Sequence, residues 1–173
     1  MKQIVIGILA VLALYGCNGN AQQINNKKMS KLIYVMDPLC GWCYGNSANT
    51  QHLYDTYKNQ IDFEILPAGM WIGENARKQS KPMAQYIKKH DLQIQQVTGT
   101  AFGQDYFKFV ENESIVLDSE IPSRAIVTVK KIWATQAVSF AIEVQKARYL
   151  HAKDLNDDAT YLSICENLKL DKE

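Results

Sequence analysis

Lys31-Leu32-Ile33-Tyr34-Val35-Met36-Asp37-Pro38-Leu39-Cys40-Gly41-Trp42-Cys43 is the stretch on which the fold turns. Its first six residues are largely apolar, with β-branched and aromatic members, and predict a strand covered on both faces, as in a parallel sheet. Asp37-Pro38 stops that strand, because Pro38 has no N–H for a ladder and restricts the residue before it. From Cys40 to about Lys58 the pattern predicts a helix with Leu53, Tyr54 and Tyr57 inward, its first turn weakened by Gly41 and Gly45. Ile61-Asp62-Phe63-Glu64-Ile65 then alternates strictly, which predicts a second strand. Strand, helix and strand in so short a span form a βαβ unit, expected to be right-handed.

Cys40 and Cys43 stand where this strand gives way to the helix. A helix start leaves N–H groups without intrahelical partners and carries partial positive charge, so the first thiol is expected to ionise more readily than a free one. The second, one turn on, is placed to attack a mixed disulfide. Cys40 is therefore expected to be the exposed nucleophile and Cys43 the more buried resolving thiol. Pro38 and Gly41 are expected to let the loop turn tightly, and Trp42 to stand exposed between the thiols. The competing readings are half of a zinc site and an inert structural pair. Zinc needs four ligands, and only Cys165, His52, His90 and His151 remain, none paired at ligand spacing. Cys165, beside Ile164 in a helical pattern, reads as a small core residue rather than a third redox thiol, and each histidine as a surface or satisfied core residue.

After Pro67-Ala68-Gly69 the periodicity turns helical almost to the end. Ser80 is the expected N-cap of a helix to about Gln96, with Met83, Tyr86, Ile87 and Ile94 inward and Thr98-Gly99 as its break. A short helix is expected from Phe102 to Val110, and a helix start at Asp118-Ser119 with Pro122 just beyond. Ser123 to Leu150 reads as one or two helices, with Ala125, Val129, Ile132 and Trp133 as one stripe and Val138, Ala141, Ile142, Val144 and Tyr149 as another. Asn156-Asp157-Asp158 caps a last helix to about Leu168.

The N-terminus has a different texture. Lys2 precedes an apolar run of 11 residues, Ile4 to Leu14, too short to span a bilayer and suited to a signal-peptide core. Leu14-Tyr15-Gly16-Cys17 resembles a bacterial lipobox, with cleavage before Cys17 and lipidation of it, although Tyr15 is bulkier than the usual small residue. The alternative is a secretory signal cut elsewhere, with an incidental cysteine. Residues 18 to 28 are polar and read as a tether. Either signal places Cys40, Cys43 and Cys165 in an oxidising compartment. The 173 residues suffice for one well-cored domain. With 19 Lys and Arg against 18 Asp and Glu, and no basic run interleaved with aromatics, the chain lacks the footprint of a nucleic-acid binder.

Tyr34 to Gly45, with Cys40-Gly41-Trp42-Cys43 at its centre, resembles the DsbA-like thioredoxin-fold proteins, particularly their FrnE-like branch. The resemblance continues through Leu66-Pro67-Ala68-Gly69-Met70-Trp71, Thr100-Ala101-Phe102-Gly103, and Asp118-Ser119-Glu120 with Arg124-Ala125, and covers residues 31 to 173. It implies an α/β fold: a thioredoxin-like βαβ unit followed by a helical insertion domain. It also implies thiol–disulfide exchange on proteins or small thiols, with Cys40 and Cys43 as the catalytic pair. For Trp71 and Phe102 core packing at the domain junction is the simpler reading. The resemblance further implies later strands and a cis-proline loop facing the dithiol. The four prolines here are Pro38, Pro67, Pro82 and Pro122, so that part is expected to be missing, most simply because the chain is a truncated product of a longer gene.

The expected organisation is a lipoprotein signal peptide over 1–16, a tether over 17–29, a βαβ unit with the dithiol over 30–72, and a helical domain over 73–173. The expected function is an envelope thiol–disulfide oxidoreductase, anchored by Cys17, facing the periplasm or the surface of a bacterium. It calls for no cofactor and no metal. Its partners are thiol or disulfide substrates, a redox partner and, through the anchor, a membrane. The alternative is a non-catalytic envelope lipoprotein carrying a degenerate domain.

Overall fold

The computed structural model describes residues 30–170; the expected signal peptide, Cys17 and the expected tether lie outside the described residues. Strand β1 (Ser30–Met36) and strand β2 (Ile61–Pro67) pair in parallel, with Ser30 opposite Ile61 and Met36 opposite Pro67. The helix between them is interrupted at Asn46, giving α1 (Gly41–Gly45) and α2 (Ser47–Tyr57). Helices α3 (Lys81–Thr98), α4 (Gln104–Phe109), α5 (Glu120–Ile132), α6 (Ala137–Tyr149) and α7 (Asp158–Asn167) follow. A short antiparallel pair, β3 (Arg77–Lys78) with β4 (Val116–Leu117), clips the segment before α3 to the one before α5. The result is the expected α/β arrangement, a βαβ unit carrying a helical region. Two-residue strands leave no periodicity, so this second pair has no signature in the sequence.

Capping chemistry sets several boundaries. The Ser80 hydroxyl accepts the Met83 N–H at 3.4 Å, and Gly99, at φ 72°, ends α3 in the left-handed conformation that glycine adopts without strain. Asp157 accepts the Ala159 N–H at 2.9 Å to open α7. The long run from Ser123 to Leu150 resolves as two helices, divided at Trp133 (φ −129°, ψ 68°).

Three expectations about burial need correction. Strand β1 is covered on one face only: Ile33 and Val35 are 52% and 56% exposed, beside Leu66 of β2, while Met36 and Ile65 point into the core. A two-stranded sheet packed on helices from one side leaves its other face open, whatever its residues prefer. Tyr57 and Tyr86, expected inward, are exposed, since they fall at the edges of their helical stripes. Ile132 is also exposed, because α5 ends there and the chain turns away.

The main core joins Met36, Leu39 and Ile65 to Ile126 and Val129 of α5, Phe140, Ala141 and Val144 of α6, and Ile164 of α7. Cys165 packs against its edge. Helix α6 is buried around almost its whole circumference, the condition of a helix at the centre of a fold. It carries Gln145, Arg148 and Tyr149 toward the dithiol end of the sheet, where a second cluster gathers Tyr44, Ile94, Phe102, Tyr106 and Tyr149. In that cluster the Tyr44 and Tyr149 rings stack at 4.8 Å and Phe102 meets Tyr44 edge-on at 5.0 Å.

Candidate active site

Cys40 is the N-cap of α1, and Cys43 lies one turn into it. Both are free and partly buried to a similar degree, so the expected contrast between an exposed and a buried thiol is slight. The asymmetry is electrostatic. Cys40 is lowered to about 6, first because the Cys43 thiol donates to its sulfur, and then because the backbone N–H groups of Cys43 and Trp42 point at it. Burial and the negative charge of Asp37 act in the opposite sense. Cys43 is raised well above the ordinary thiol range, chiefly by giving its proton to that same bond and then by burial. A five-residue α1 carries little macrodipole, so the neighbouring thiol, rather than a long helix, is the main support of the Cys40 thiolate.

The two glycines of α1 have a role different from the tight turn expected of Gly41. Neither lies at positive φ. They stand one turn apart and present bare backbone to α3. A Cβ built on Gly41 would overlap Asp91 Oδ1 and lie 2.9 Å from Ile94 Cδ1; one on Gly45 would lie 2.5 Å from Ile94 Cγ2. The glycines therefore let α3 approach the dithiol helix closely. Pro38 is fully buried at the end of β1, and Trp42 is 48% exposed at the mouth of the site.

Asp37, whose place in the sequence marks only the end of a strand, ties the site together. Its buried carboxylate accepts the Leu39 N–H (2.8 Å), the Ser119 hydroxyl (3.0 Å) and the Met70 N–H (2.5 Å). Ser119 in turn accepts the Trp71 N–H at 3.1 Å. The Asp37 carbonyl receives the Cys40 N–H at 3.1 Å. One side chain thus joins the dithiol loop, the loop after β2 and the start of α5. The Asp118-Ser119 signal marked a helix start, and Ser119 spends its side chain on Asp37 and Trp71 instead of on a cap.

Beside Cys40 opens a groove of about 620 Å³, walled by Trp42, Met70, Trp71, Met83 and Ile87. Its polar lining includes Asp91, Tyr106 and Arg148. Tyr106 donates to Asp91 Oδ2 at 2.6 Å, and the Arg148 guanidinium lies among the rings of Tyr106, Phe109 and Tyr149 at 5.5–5.8 Å. Burial raises Asp91 to about 6, against the lowering effects of Tyr106, Arg148 and His90. None of these three was singled out in the sequence. A signal existed for Asp91: Met83, Ile87, Asp91 and Ile94 follow at steps of four, four and three, which puts a carboxylate on the apolar stripe of α3. Trp71 packs on the main core under Arg77, whose guanidinium is 4.6 Å from its ring, and Phe102 fills the second cluster.

No family model and no curated protein matches the chain. Solved structures do. The cytosolic disulfide reductase DsbM from Pseudomonas aeruginosa is 28% identical, with a TM-score of 0.70 over 81% of this chain and 64% of its own. The same reductase solved with GSH gives 28% and 0.69. A Nitrosomonas europaea protein described as a protein disulfide isomerase is 22% identical, with a TM-score of 0.72 over 82% of this chain and 66% of its own, a likeness of fold alone. The chain spans slightly less than two thirds of the length of these structures.

Proposed function

We propose that this chain, a DsbA-like thioredoxin-fold protein, is a thiol–disulfide oxidoreductase working through Cys40 and Cys43. The observation that carries the reading is the unequal pair: a Cys40 thiol at about 6 beside a Cys43 thiol held protonated, opening on an apolar groove. Near pH 7 Cys40 is largely thiolate and attacks one sulfur of a substrate disulfide, forming a mixed disulfide and releasing the other sulfur as a thiolate. Covalent capture removes the charge on Cys40 that held the Cys43 proton. Cys43 then ionises and attacks the Cys40 sulfur, closing the intramolecular disulfide and freeing the second product. Run backwards, the same steps oxidise a substrate dithiol. The groove walls of Trp42, Met70 and Met83 suit an apolar segment, and the GSH held by the Pseudomonas reductase supports a small thiol among the substrates. The CGWC centre supports the further proposal that the chain belongs to the FrnE-like branch of that family.

A redox titration across glutathione ratios, followed by thiol labelling and mass, tests the reading. A two-electron transition lost in Cys40→Ser is expected, and trapped mixed disulfides in Cys43→Ser. Exchange that survives loss of Cys40 refutes it. The proposed location is the bacterial envelope, anchored through a lipid on Cys17. That rests on the first 17 residues, and the Pseudomonas neighbour is cytosolic. Mass spectrometry of Cys17 from the membrane fraction, with release of a Cys17→Ala variant into the soluble fraction, is the check; an unmodified Cys17 would remove the anchor.

A further inference from the structure

A carboxyl removed from water costs stability unless it is paired or used. Asp91 is 4% exposed and lies on the face of α3 that meets α1. One oxygen, Oδ2, is held by the Tyr106 hydroxyl at 2.6 Å. The other, Oδ1, lies against Gly41, in space that any larger residue at that position would claim. Position 41 directly follows Cys40, and Asp91 lines the groove that Cys40 opens on. A carboxyl oxygen is therefore packed on the turn that presents the nucleophile, and the same residue lines the groove where a substrate disulfide must sit.

We propose that Asp91 is the proton-transfer group for the substrate sulfur: as carboxylic acid it protonates the sulfur expelled when Cys40 attacks, and as carboxylate it takes the proton of an incoming thiol in the reverse direction. This rests on the oxidoreductase reading above. The step balances: Cys40 thiolate, substrate disulfide RS–SR′ and Asp91 carboxylic acid give the Cys40–SR mixed disulfide, R′SH and Asp91 carboxylate. The new S–S bond replaces the broken one, and the proton passes from Asp91 to the departing sulfur. Closure of the Cys40–Cys43 disulfide then releases the Cys43 proton, and Asp91 is reprotonated from solvent through the open groove.

The surroundings fit this work. The groups acting on Asp91 are His90 on its own helix, Tyr106 on α4 and Arg148 on α6; Tyr149 of α6 feels its charge, and Cys40 on the dithiol loop lines the same groove. Burial raises the carboxyl while Tyr106, Arg148 and His90 hold it down, leaving it at about 6, where both protonation states are accessible near neutrality. An alkyl thiolate is a poor leaving group and gains from a proton, whereas an aromatic thiolate leaves readily without one.

The test is single-turnover reduction of two uncharged disulfides by the full-length reduced protein: bis-hydroxyethyl disulfide, with an alkyl leaving sulfur, and dithiodipyridine, with an aromatic one. Asp91→Asn keeps the size and the acceptor for Tyr106. Rates are normalised to the Cys40 thiolate fraction measured for each variant. The expected result is a loss of at least tenfold with the alkyl disulfide at pH 6, closing toward parity by pH 8 as the wild-type acid ionises, and no loss with the aromatic one. Tyr106→Phe, which removes a bond that lowers the carboxyl, should move the wild-type fall-off to higher pH. Equal losses with both disulfides, or no loss with either, overturn the proposal while leaving the oxidoreductase reading intact. A wild-type protein that reduces neither disulfide overturns both.

Discussion

Replacing Cys43 by alanine removes the largest single support of the Cys40 thiolate, the hydrogen bond donated by the Cys43 thiol. A hydrogen bond to a charged group contributes about 1.5–3 kcal/mol. At about 1.36 kcal/mol per unit, its loss lifts Cys40 by roughly one to two units. From about 6, the thiol therefore rises into the region of roughly 7 to 8. The backbone N–H groups of Trp42 and Cys43 remain and keep it below an ordinary thiol, while Asp37 and burial continue to push it up. At pH 7 the thiolate fraction falls from roughly nine tenths to between a tenth and a half. Cys43→Ser retains a hydroxyl donor and should keep Cys40 near its parent value. The thiolate's ultraviolet absorbance and the rate of iodoacetamide alkylation, both followed against pH, report the shift. A Cys40 that still titrates near 6 in the alanine variant would refute this account and assign the acidity to the backbone donors. A serine variant displaced as far as alanine would refute the hydrogen bond as its physical basis.

Other outcomes follow from the same geometry. Asp37→Ala strands the Leu39 N–H, the Met70 N–H and the Ser119 hydroxyl, and should cost about 3–5 kcal/mol in denaturant unfolding, with Asp37→Asn costing less. Gly41→Ala drives a methyl onto Asp91 and Ile94 and should cost about 1–3 kcal/mol, measured the same way; an unchanged midpoint would mean that α3 sits farther from the dithiol. Phe140→Ala should cost about 3–5 kcal/mol, while Val35→Thr on the open sheet face should stay within about 0.5 kcal/mol. Cys40 is more acidic folded than unfolded, so it stabilises the reduced protein fully above the ordinary thiol value. That contribution is lost as pH falls through about 6. The Tm advantage of the reduced protein over Cys40→Ser should therefore shrink from pH 9 to pH 5, by a small amount because solvent screens a partly exposed thiolate.

The sequence by itself determined the βαβ unit, the dithiol at its strand-to-helix junction and most helix boundaries. These rest on local physics: Pro38 ends a ladder, Ser80 and Asp157 accept the free N–H groups of a helix start, and Gly99 supplies a left-handed turn. What tertiary structure decided is how distant segments meet. The apolar run Ile33 to Val35 says that burial is favourable, but only the arrangement of helices determines that one face of the sheet stays open. In sequence Gly41 is a loop glycine; in the fold α3 brings Asp91, 50 positions along the chain, against it. Asp37 read as a strand stop because its three donors come from Leu39, Met70 and Ser119, two of them far away in sequence. A carboxylate's burial, its donors and therefore its acidity are properties of its surroundings. Those surroundings exist only once α3, α4 and α6 have closed around the dithiol helix.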